Sequence, residues 1–226
     1  MTDKRIFEDA ESVAEASAIY LASEISRIVA EQGFCSVVLP GGSTPKRCLQ
    51  FLATMDLPWE QTHWYLNDER CLPVGDDERN DKMVLESLFS EQAALIESHF
   101  HPIPAHLGPE EGASAYAEVI DEIVARYGAL DIVVFGMGED GHTASLFPGN
   151  PALQDQRTAV PVYDSPKPPP TRVSVGLLPL RDARLKIVLA TGAGKKQVLA
   201  EVFAEGQLPV ARVEPDVWFL DKAVTP

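Results

Sequence analysis

The sequence has few cysteines and few basic residues, which limits the kinds of fold and partner that it can have. Its 226 residues contain three cysteines, Cys35, Cys48 and Cys71, and no two of them are spaced C-x-x-C. An odd number with this spacing argues against a disulfide framework and against a zinc knuckle. We therefore expect reduced thiols, most of them buried.

Basic residues are outnumbered by acidic ones. The chain has 19 lysine and arginine residues against 34 aspartate and glutamate residues, a formal net charge of −15. Nucleic acid and anionic membrane surfaces repel such a chain at long range, so neither is expected as a partner. Basic residues that gather at one place would therefore serve a local site.

Long apolar runs are also lacking. The uncharged stretches are far shorter than the ~20 residues needed to span a bilayer. The first residues, MTDKRIFEDAES, show no apolar segment like that of a secretory signal. These two features predict a cytoplasmic protein.

What the sequence does contain is an alternation of helix and strand patterns. Residues 8–31 repeat apolar side chains at spacings of three and four, which predicts an amphipathic helix. The apolar face consists of Ala14, Ala18, Leu21, Ile25 and Ile28. Short apolar runs then precede three glycine loops: FCSVVLP before GGSTP, DIVVF before GMGEDG, and LKIVLA before TGAG. Each loop is predicted to lead into a helix, in KRCLQFLATM, HTASLF and KKQVLAEVFAEG respectively.

Other apolar segments predict further strands: HWYL, which runs into NDER, then RVSVGLLPL and DVWFL. The proline-rich residues 148–171 indicate a surface crossing with one short strand near TAVPV, since the strands after it are needed to complete the sheet. Strands alternating with helices predict a mostly parallel sheet flanked by helices on both faces. We expect a single Rossmann-like α/β domain over residues 1–226.

Polar residues follow the predicted strands, at the edge of the sheet where open α/β proteins bind ligands. Gly41 and Gly42 allow a tight turn, and Thr44 suits a helix N-cap, with Ser43 beside it. Free N–H groups at such a helix start favour a phosphate, although an ordinary strand-to-helix turn would show the same pattern.

His142 is the strongest candidate for acid–base chemistry. Imidazole titrates near neutral pH, and the carboxylate of Asp140 can orient one ring nitrogen. The strand before the loop and the glycines within it favour a catalytic role over a structural one.

Cations and carboxylates after other strands are weaker candidates. Lys195, in TGAGKK, can place a point charge near a phosphate. Arg172 can reach the same edge of the sheet if its strand is suitably oriented. In NDER, side-chain alternation sends Asp68 and Arg70 to one side, where they would position a sugar hydroxyl or form a surface ion pair.

Three competing interpretations are disfavoured. GMGEDG matches the dinucleotide fingerprint G-x-G-x-x-G, but Pro148 and Pro151 would cut the helix it needs to about two turns. TGAGKK lacks the first glycine of a Walker A loop and the Ser or Thr after its lysine. The histidines of SHFHPIPAH have metal-like spacing without an acidic or cysteine ligand; they are His99, His101 and His106.

The blocks GGSTP, DERCLP, GMGEDGHTASLFPG, SPKPPPTRVSV and TGAGKKQVL occur in this order over most of the chain. Together they resemble the 6-phosphogluconolactonase family, whose fold is shared by the glucosamine-6-phosphate deaminases. The deaminases have Asn-Glu-Pro after Asp-Gly-His, where this sequence has Leu146, Phe147 and Pro148. They also tend to have Asp-Glu-Tyr where this sequence has Asp-Glu-Arg. Both differences favour the lactonase.

The resemblance implies hydrolysis of 6-phospho-D-glucono-1,5-lactone to 6-phosphogluconate, in the oxidative pentose phosphate pathway, without a metal or organic cofactor. Our hypothesis makes His142 the general base and Asp140 its orienting partner. The substrate-binding residues would be Gly41, Gly42, Ser43, Thr44, Asp68, Arg70, Arg172 and Lys195.

Three expectations remain open at this stage. The family often has Ser-Asn after the Asp-Glu-Arg block, where this chain has Arg79 and Asn80, so Arg79 would add to the cations of the site or replace one of them. A non-catalytic sugar-phosphate sensor is an alternative to an enzyme. No sustained exposed apolar helix face is evident, which favours a monomer.

Overall fold

The structure is a computed structural model that describes residues 2–225. The strands are β1 (Asp3–Phe7), β2 (Cys35–Leu39), β3 (Thr62–Leu66), β4 (Asp68–Arg70), β5 (Phe100–His101), β6 (Ile132–Gly136), β7 (Ala159–Val162), β8 (Arg172–Val175), β9 (Leu185–Ala190) and β10 (Val217–Asp221). The α-helices are α1 (Ala10–Gln32), α2 (Ser43–Leu52), α3 (Asn80–Leu88), α4 (Ile96–His99), α5 (Pro109–Tyr127), α6 (Leu177–Arg181), α7 (Lys196–Glu205) and α8 (Pro209–Arg212). Single 3₁₀ turns lie at Trp59–Gln61, Ala93–Leu95, Ala105–Leu107, Pro151–Gln154 and Ala193–Lys195.

A seven-stranded parallel sheet forms the centre of the protein, in the order β1-β10-β9-β6-β2-β3-β5. Every residue of β2 is buried, as expected for a strand with neighbours on both sides and helices over it. The predicted mostly parallel α/β fold is confirmed. Because all seven strands run the same way, their carboxyl ends meet at one edge of the sheet.

Helix α1 shows how the local sequence sets an element's bounds. Asp9 caps its start by accepting the backbone N–H of Ser12 at 2.8 Å, and Gly33 ends it with a left-handed φ of 76°. The apolar face predicted for this helix is fully buried and packs against α2 and β10. Observed and predicted bounds differ by no more than two residues at each end.

A second sheet of three antiparallel strands, β4-β8-β7, lies beside the main one. The sequence places β8 in the main sheet, and that prediction is wrong. Strand β8 ends at Val175. The next residue, Gly176, lies so close to the backbone of Arg157 that an added Cβ would be 2.2 Å from the Arg157 carbonyl oxygen. The following LLPLR is helical, since proline is tolerated in a first helical turn but cannot donate to a sheet.

The helix predicted at HTASLF is also wrong. Thr143 and Leu146 form an isolated β-bridge instead, and Ala144 has a positive φ of 50°. The Thr143 hydroxyl donates to the carbonyl of Gly136 at 2.8 Å, which ties the segment back to the end of β6. No helix therefore follows GMGEDG directly, and the loop lacks the helix N-terminus that binds the pyrophosphate of a dinucleotide.

The three cysteines of the described chain are free. Cys35 and Cys48 are buried, and burial raises the pKa of Cys48 to about 12. Cys71 is partly exposed. The prediction of mostly buried thiols is confirmed.

Candidate active site

A cavity of about 410 Å³ opens at the carboxyl ends of β2, β6 and β9. It brings together nine of the ten residues predicted from the sequence: Gly41, Gly42, Ser43, Thr44, Asp68, Arg70, His142, Arg172 and Lys195. The tenth, Asp140, contacts His142 from outside the lining. Loops from distant parts of the chain meet here because parallel strands place their ends side by side.

His142, which lines the cavity, is paired with Asp140. His142 Nδ1 lies 2.5 Å from Asp140 Oδ1, which also accepts the backbone N–H of His142 at 3.2 Å. Partial burial raises the pKa of Asp140, but the hydrogen bonds and electrostatic attraction of His142 outweigh this effect and lower it to about 2. The carboxylate is therefore ionised at neutral pH and holds the proton on Nδ1, which leaves Nε2 as the acceptor.

The glycines around this pair make room for it. A Cβ on Gly138 would lie 2.1 Å from His142 Nδ1 and 2.6 Å from Asp140 Oδ1, so only glycine fits beside the pair. The Gly138 N–H donates to the carbonyl of His142 at 2.9 Å and closes the loop. The imidazole rests on the buried ring of Phe147, with 4.5 Å between ring centroids.

The loop before α2 supplies a helix N-terminus. The N-cap is Gly42, and the prediction of Thr44 is wrong because the helix already begins at Ser43. Gly42 has a φ of 108° and makes no side-chain capping bond, so the first N–H groups, those of Ser43 and Thr44, have no partner within the helix. Gly41 packs against Asn80 so closely that an added Cβ would lie 2.1 Å from the amide oxygen. This cradle has the geometry and the partial positive charge that favour an anion.

A second glycine loop adjoins the first. The hydroxyls of Thr44 and Thr191 lie 2.7 Å apart, and the carboxylate of Asp221 at the end of β10 accepts the Gly192 N–H at 3.0 Å. These contacts fix the turn that presents Lys195 to the cavity. Burial lowers the pKa of Lys195, the nearby carboxylate of Glu139 raises it, and Lys167 lowers it further.

Asp68 is the best-connected carboxylate of the cavity. It is 5% exposed and accepts hydrogen bonds from the Ser145 hydroxyl at 2.5 Å and the Asn80 amide at 3.2 Å. Arg172 Nη1 lies 3.8 Å from its Oδ2. Asp68 and Arg172 therefore form a buried pair of charges in the cavity wall, and the surface ion pair between Asp68 and Arg70 that the sequence allows is not among the salt bridges of residues 2–225.

Arg70 lines the cavity on the same side, as the alternation of NDER predicts. Its Nη1 donates to the backbone carbonyl of Glu78, whereas its shielded Nε has no hydrogen-bond acceptor in residues 2–225. Glu69 points the other way and accepts the N–H groups of Asn80 and Asp81 at 2.8 Å each. Burial raises the pKa of Glu69 to about 7, against the opposing effect of these donors.

Arg79 lies outside the cavity, contrary to its suggested role as an extra cation. It is 2% exposed, donates to both oxygens of Asp81 and also bonds the carbonyls of Leu72 and Ile103. Its neighbour Asn80 does line the cavity, where it supports Asp68. Arginine at position 79 thus anchors the start of α3.

Several lining residues had no clear signal in the sequence. Lys167 lies in the block SPKPPPTRVSV, which contributes to the family resemblance but whose prolines predict a surface crossing, and Asn80 is indicated only by a family pattern. Ser145 and Thr191 reach the site through contacts between loops far apart in the sequence. The arrangement of such contacts depends on the tertiary fold.

Residues 2–225 contain no group of three or more His, Cys, Asp or Glu side chains that could hold a metal ion. His101 stacks on His63, with its Nε2 2.9 Å from the Nδ1 of His63, at the opposite edge of the sheet. His99 packs on His63 as well. Within the same residues, no helix is long and apolar enough to cross a membrane.

Comparison with known proteins decides the family. The profile described as glucosamine-6-phosphate isomerases/6-phosphogluconolactonase matches residues 8–220. The chain belongs to this family. A Synechocystis 6-phosphogluconolactonase is 32% identical over 220 residues, covering 92% of this chain and 90% of the relative. A Rhizobium meliloti 6-phosphogluconolactonase is 35% identical over 207 residues, covering 89% and 87%.

Solved structures in the family have the same architecture. The crystal structure of a Thermotoga maritima 6-phosphogluconolactonase superposes with a TM-score of 0.89 at 28% identity, covering 98% of this chain and 100% of that one. The family model covers isomerases as well as lactonases. Leu146 and Phe147, where the sequence departs from the deaminase pattern, are buried in the core.

Proposed function

We propose that this chain is a 6-phosphogluconolactonase, which hydrolyses 6-phospho-D-glucono-1,5-lactone to 6-phosphogluconate in the pentose phosphate pathway. One observation carries the proposal: a cavity of about 410 Å³ contains both an oriented imidazole and a helix N-terminus with a lysine beside it. A lactone with a remote phosphate needs this combination of a proton acceptor and an anion site. We assign the activity to one domain that spans residues 1–226.

In our mechanism His142 acts as the general base. Its Nε2 accepts a proton from water while the water oxygen attacks the lactone carbonyl carbon, and the carbonyl electron pair moves to the oxygen. When the carbonyl re-forms, the bond from this carbon to the ring oxygen breaks, and the imidazolium returns its proton to that oxygen. Asp140 stays ionised throughout and stabilises the imidazolium.

The negative charge that develops on the carbonyl oxygen is assigned to Arg70. Its side chain lines the cavity and brings a guanidinium, a positively charged donor, to that wall. Preorganised donors of this kind stabilise a transition state without reorganising during the reaction. Asp68, held by Ser145 and Asn80, is assigned to the sugar hydroxyls.

The phosphate is assigned to the loop before α2. The main chain of Gly41 and Gly42 and the first N–H groups of the helix, at Ser43 and Thr44, would surround it. Lys195 adds a formal charge from the second glycine loop. Arg172 contributes its charge from the cavity wall, and the hydroxyl contact between Thr44 and Thr191 keeps the two loops together. The assigned residues need neither a metal nor an organic cofactor.

Two assays in parallel test the assignment. Freshly generated 6-phosphogluconolactone is followed against its spontaneous hydrolysis, and ammonia release from glucosamine 6-phosphate is measured with the same preparation. Acceleration of the first reaction alone supports the lactonase. Ammonia release would identify a deaminase, and phosphosugar binding without either activity would identify a sensor.

Charge and thiol content support the cellular context that we propose. Free cysteines fit a reducing compartment, and we place the protein in the cytoplasm. With a net charge of −15, neither nucleic acid nor an anionic membrane is a partner in this proposal. Its exposed large apolar side chains are scattered along residues 2–225, in support of a monomer.

A further inference from the structure

A second lysine lines the cavity, and the mechanism above gives it no role. Lys167 is exposed and, like Lys195, borders the cavity. The lysines of residues 2–225 that pair with carboxylates are others: Lys82, Lys186 and Lys222. Two ammonium groups without such a partner therefore share one cavity in a strongly acidic chain. The carboxylate of Glu139, which also lines the cavity, attracts Lys195, and a ligand of opposite charge bound between the two lysines would further offset their repulsion.

The backbone that carries Lys167 is held by Arg172. The Nη2 of this guanidinium donates to the carbonyls of Lys167 at 3.0 Å and Pro168 at 3.1 Å, and its Nε donates to the carbonyl of Pro169 at 3.2 Å. Only Nη1 does not donate to this loop, and it faces Asp68. Arg172 is 5% exposed and thus directs most of its donors at protein rather than at the cavity.

The loop is also closed from its other side. The Ser165 hydroxyl donates to the carbonyl of Lys167 at 2.8 Å, and the Ser165 N–H donates to the carbonyl of Pro170 at 2.9 Å. Prolines at four of the five positions after Ser165 further limit its backbone freedom. These contacts hold the backbone of Lys167 in place beside the cavity, and its side chain is exposed.

We propose that Lys167 is a direct ligand of the substrate phosphate, and that Arg172 is a positioning residue that acts through the Lys167 loop. The inference rests on the proposed function and changes one assignment within it. A phosphate monoester carries a charge of about −1.5 to −2 at pH 7, which two ammonium groups balance. Together Lys167 and Lys195 make the cavity selective for phosphorylated over unphosphorylated lactones.

Lys167→Met tests the direct contact, because an exposed lysine can be replaced by an apolar side chain of similar length without disturbing the fold. We expect KM for the lactone and the inhibition constant of 6-phosphogluconate to rise roughly 10- to 100-fold, the loss expected for one hydrogen bond to a charged group. The value of kcat stays near wild type, since the phosphate is remote from the reacting carbon. Inhibition by unphosphorylated gluconate is unchanged.

Lys46→Met is the matched control. Lys46 is exposed on α2, close in sequence to the glycine loop, but does not line the cavity. Lys46→Met changes the net charge by the same amount as Lys167→Met. An equal effect of the two variants on the inhibition constant would therefore show that Lys167 acts only through long-range electrostatics, which would overturn the proposal. Lys167→Arg, which keeps the charge, is expected to restore most of the affinity.

The role of Arg172 is tested by a double-mutant cycle. If Arg172→Met acts through Lys167, its effect on the 6-phosphogluconate inhibition constant largely disappears in the Lys167→Met background. Additive effects would instead make Arg172 a ligand in its own right. If Arg172→Met does not fold, Ser165→Ala replaces it in the cycle, because it removes the hydroxyl that closes the same loop.

Failure of the inference is distinct from failure of the function. A wild-type protein that does not accelerate lactone hydrolysis would overturn the proposed function. An active wild type together with a Lys167→Met variant whose inhibition constant lies within twofold of wild type would overturn the inference alone.

Discussion

His142 Nδ1 and Asp140 Oδ1 lie 2.5 Å apart, and His142 lines the same cavity as the start of α2. This contact fixes the tautomer of the imidazole, since the carboxylate can only accept. It also places a negative charge where an imidazolium forms during the reaction. Asp140 and His142 are two residues apart in the sequence, and both lie in the loop between β6 and Phe147. The conformation of this loop therefore sets the geometry of the pair.

Asp140→Asn is expected to weaken catalysis without abolishing it. An amide can present either its oxygen or its NH₂ to Nδ1 and no longer stabilises the imidazolium. The loss in kcat should therefore be smaller than the ~100- to 10,000-fold that a general base contributes. Steady-state kinetics at pH 7 measures the loss, and an unchanged kcat would show that the carboxylate plays no part in catalysis.

The same carboxylate has a predictable effect on stability. His142 lowers the pKa of Asp140 to about 2, from an ordinary value of 3.8. A depressed carboxyl pKa contributes stability above the unfolded pKa, and this contribution disappears as the pH falls through about 2. Urea unfolding should show Asp140→Asn to be less stable than wild type at pH 7. Equal free energies of unfolding at pH 7 would contradict this expectation.

Gly138→Ala tests the space around the pair. The added Cβ would lie 2.1 Å from His142 Nδ1, so the imidazole and the Asp140 carboxylate must move. We expect kcat to fall about 10-fold or more, because small displacements of a catalytic group are costly. Inhibition by 6-phosphogluconate should change little, since its phosphate binds elsewhere. A variant with wild-type kcat would show that the loop adapts.

His63, far from the active site, is expected to make the free energy of unfolding depend on pH. Burial, together with His101 and His99, lowers the pKa of His63 to about 4. Between about pH 4 and the unfolded value near 6.5, the unfolded chain binds the proton more strongly than the native one. The free energy of unfolding should therefore fall as the pH is lowered across this interval.

His63→Phe removes this titration and retains an aromatic ring between Phe34 and His101. Urea unfolding of the variant should lose less stability than wild type between pH 7 and pH 5. Parallel losses in the two proteins would mean that the proton uptake occurs at other groups.

The parallel sheet and most of its strands follow from short apolar runs that end in glycine loops. These runs could be recognised because the strands between helices are buried on both faces. Strand β1 was missed, since DKRIF is an edge strand that pairs only with β10 and keeps charged side chains in solvent. The absent helix at HTASLF follows from the burial of Leu146 and Phe147 toward the core, which outweighs local preference.

The sequence predicts those parts of the candidate site in which a single loop contains the residues that carry the chemistry. His142, Asp140 and the glycine loop before α2 are of this kind. The environment of Arg172 could not be predicted, because it depends on three carbonyl groups of the preceding loop that only the fold brings to the guanidinium. Lys167 was missed for the same reason: its sequence context predicts a surface crossing rather than a cavity rim.

His142→Ala is the most direct test of the central claim, that this imidazole activates water for attack on a phosphosugar lactone. The measurement is the enzyme-catalysed opening of freshly generated 6-phosphogluconolactone, corrected for spontaneous hydrolysis, with 6-phosphogluconate binding measured on the same preparation. We predict a ~100- to 10,000-fold lower kcat with product affinity nearly unchanged. A variant that turns over at close to the wild-type rate would contradict the account.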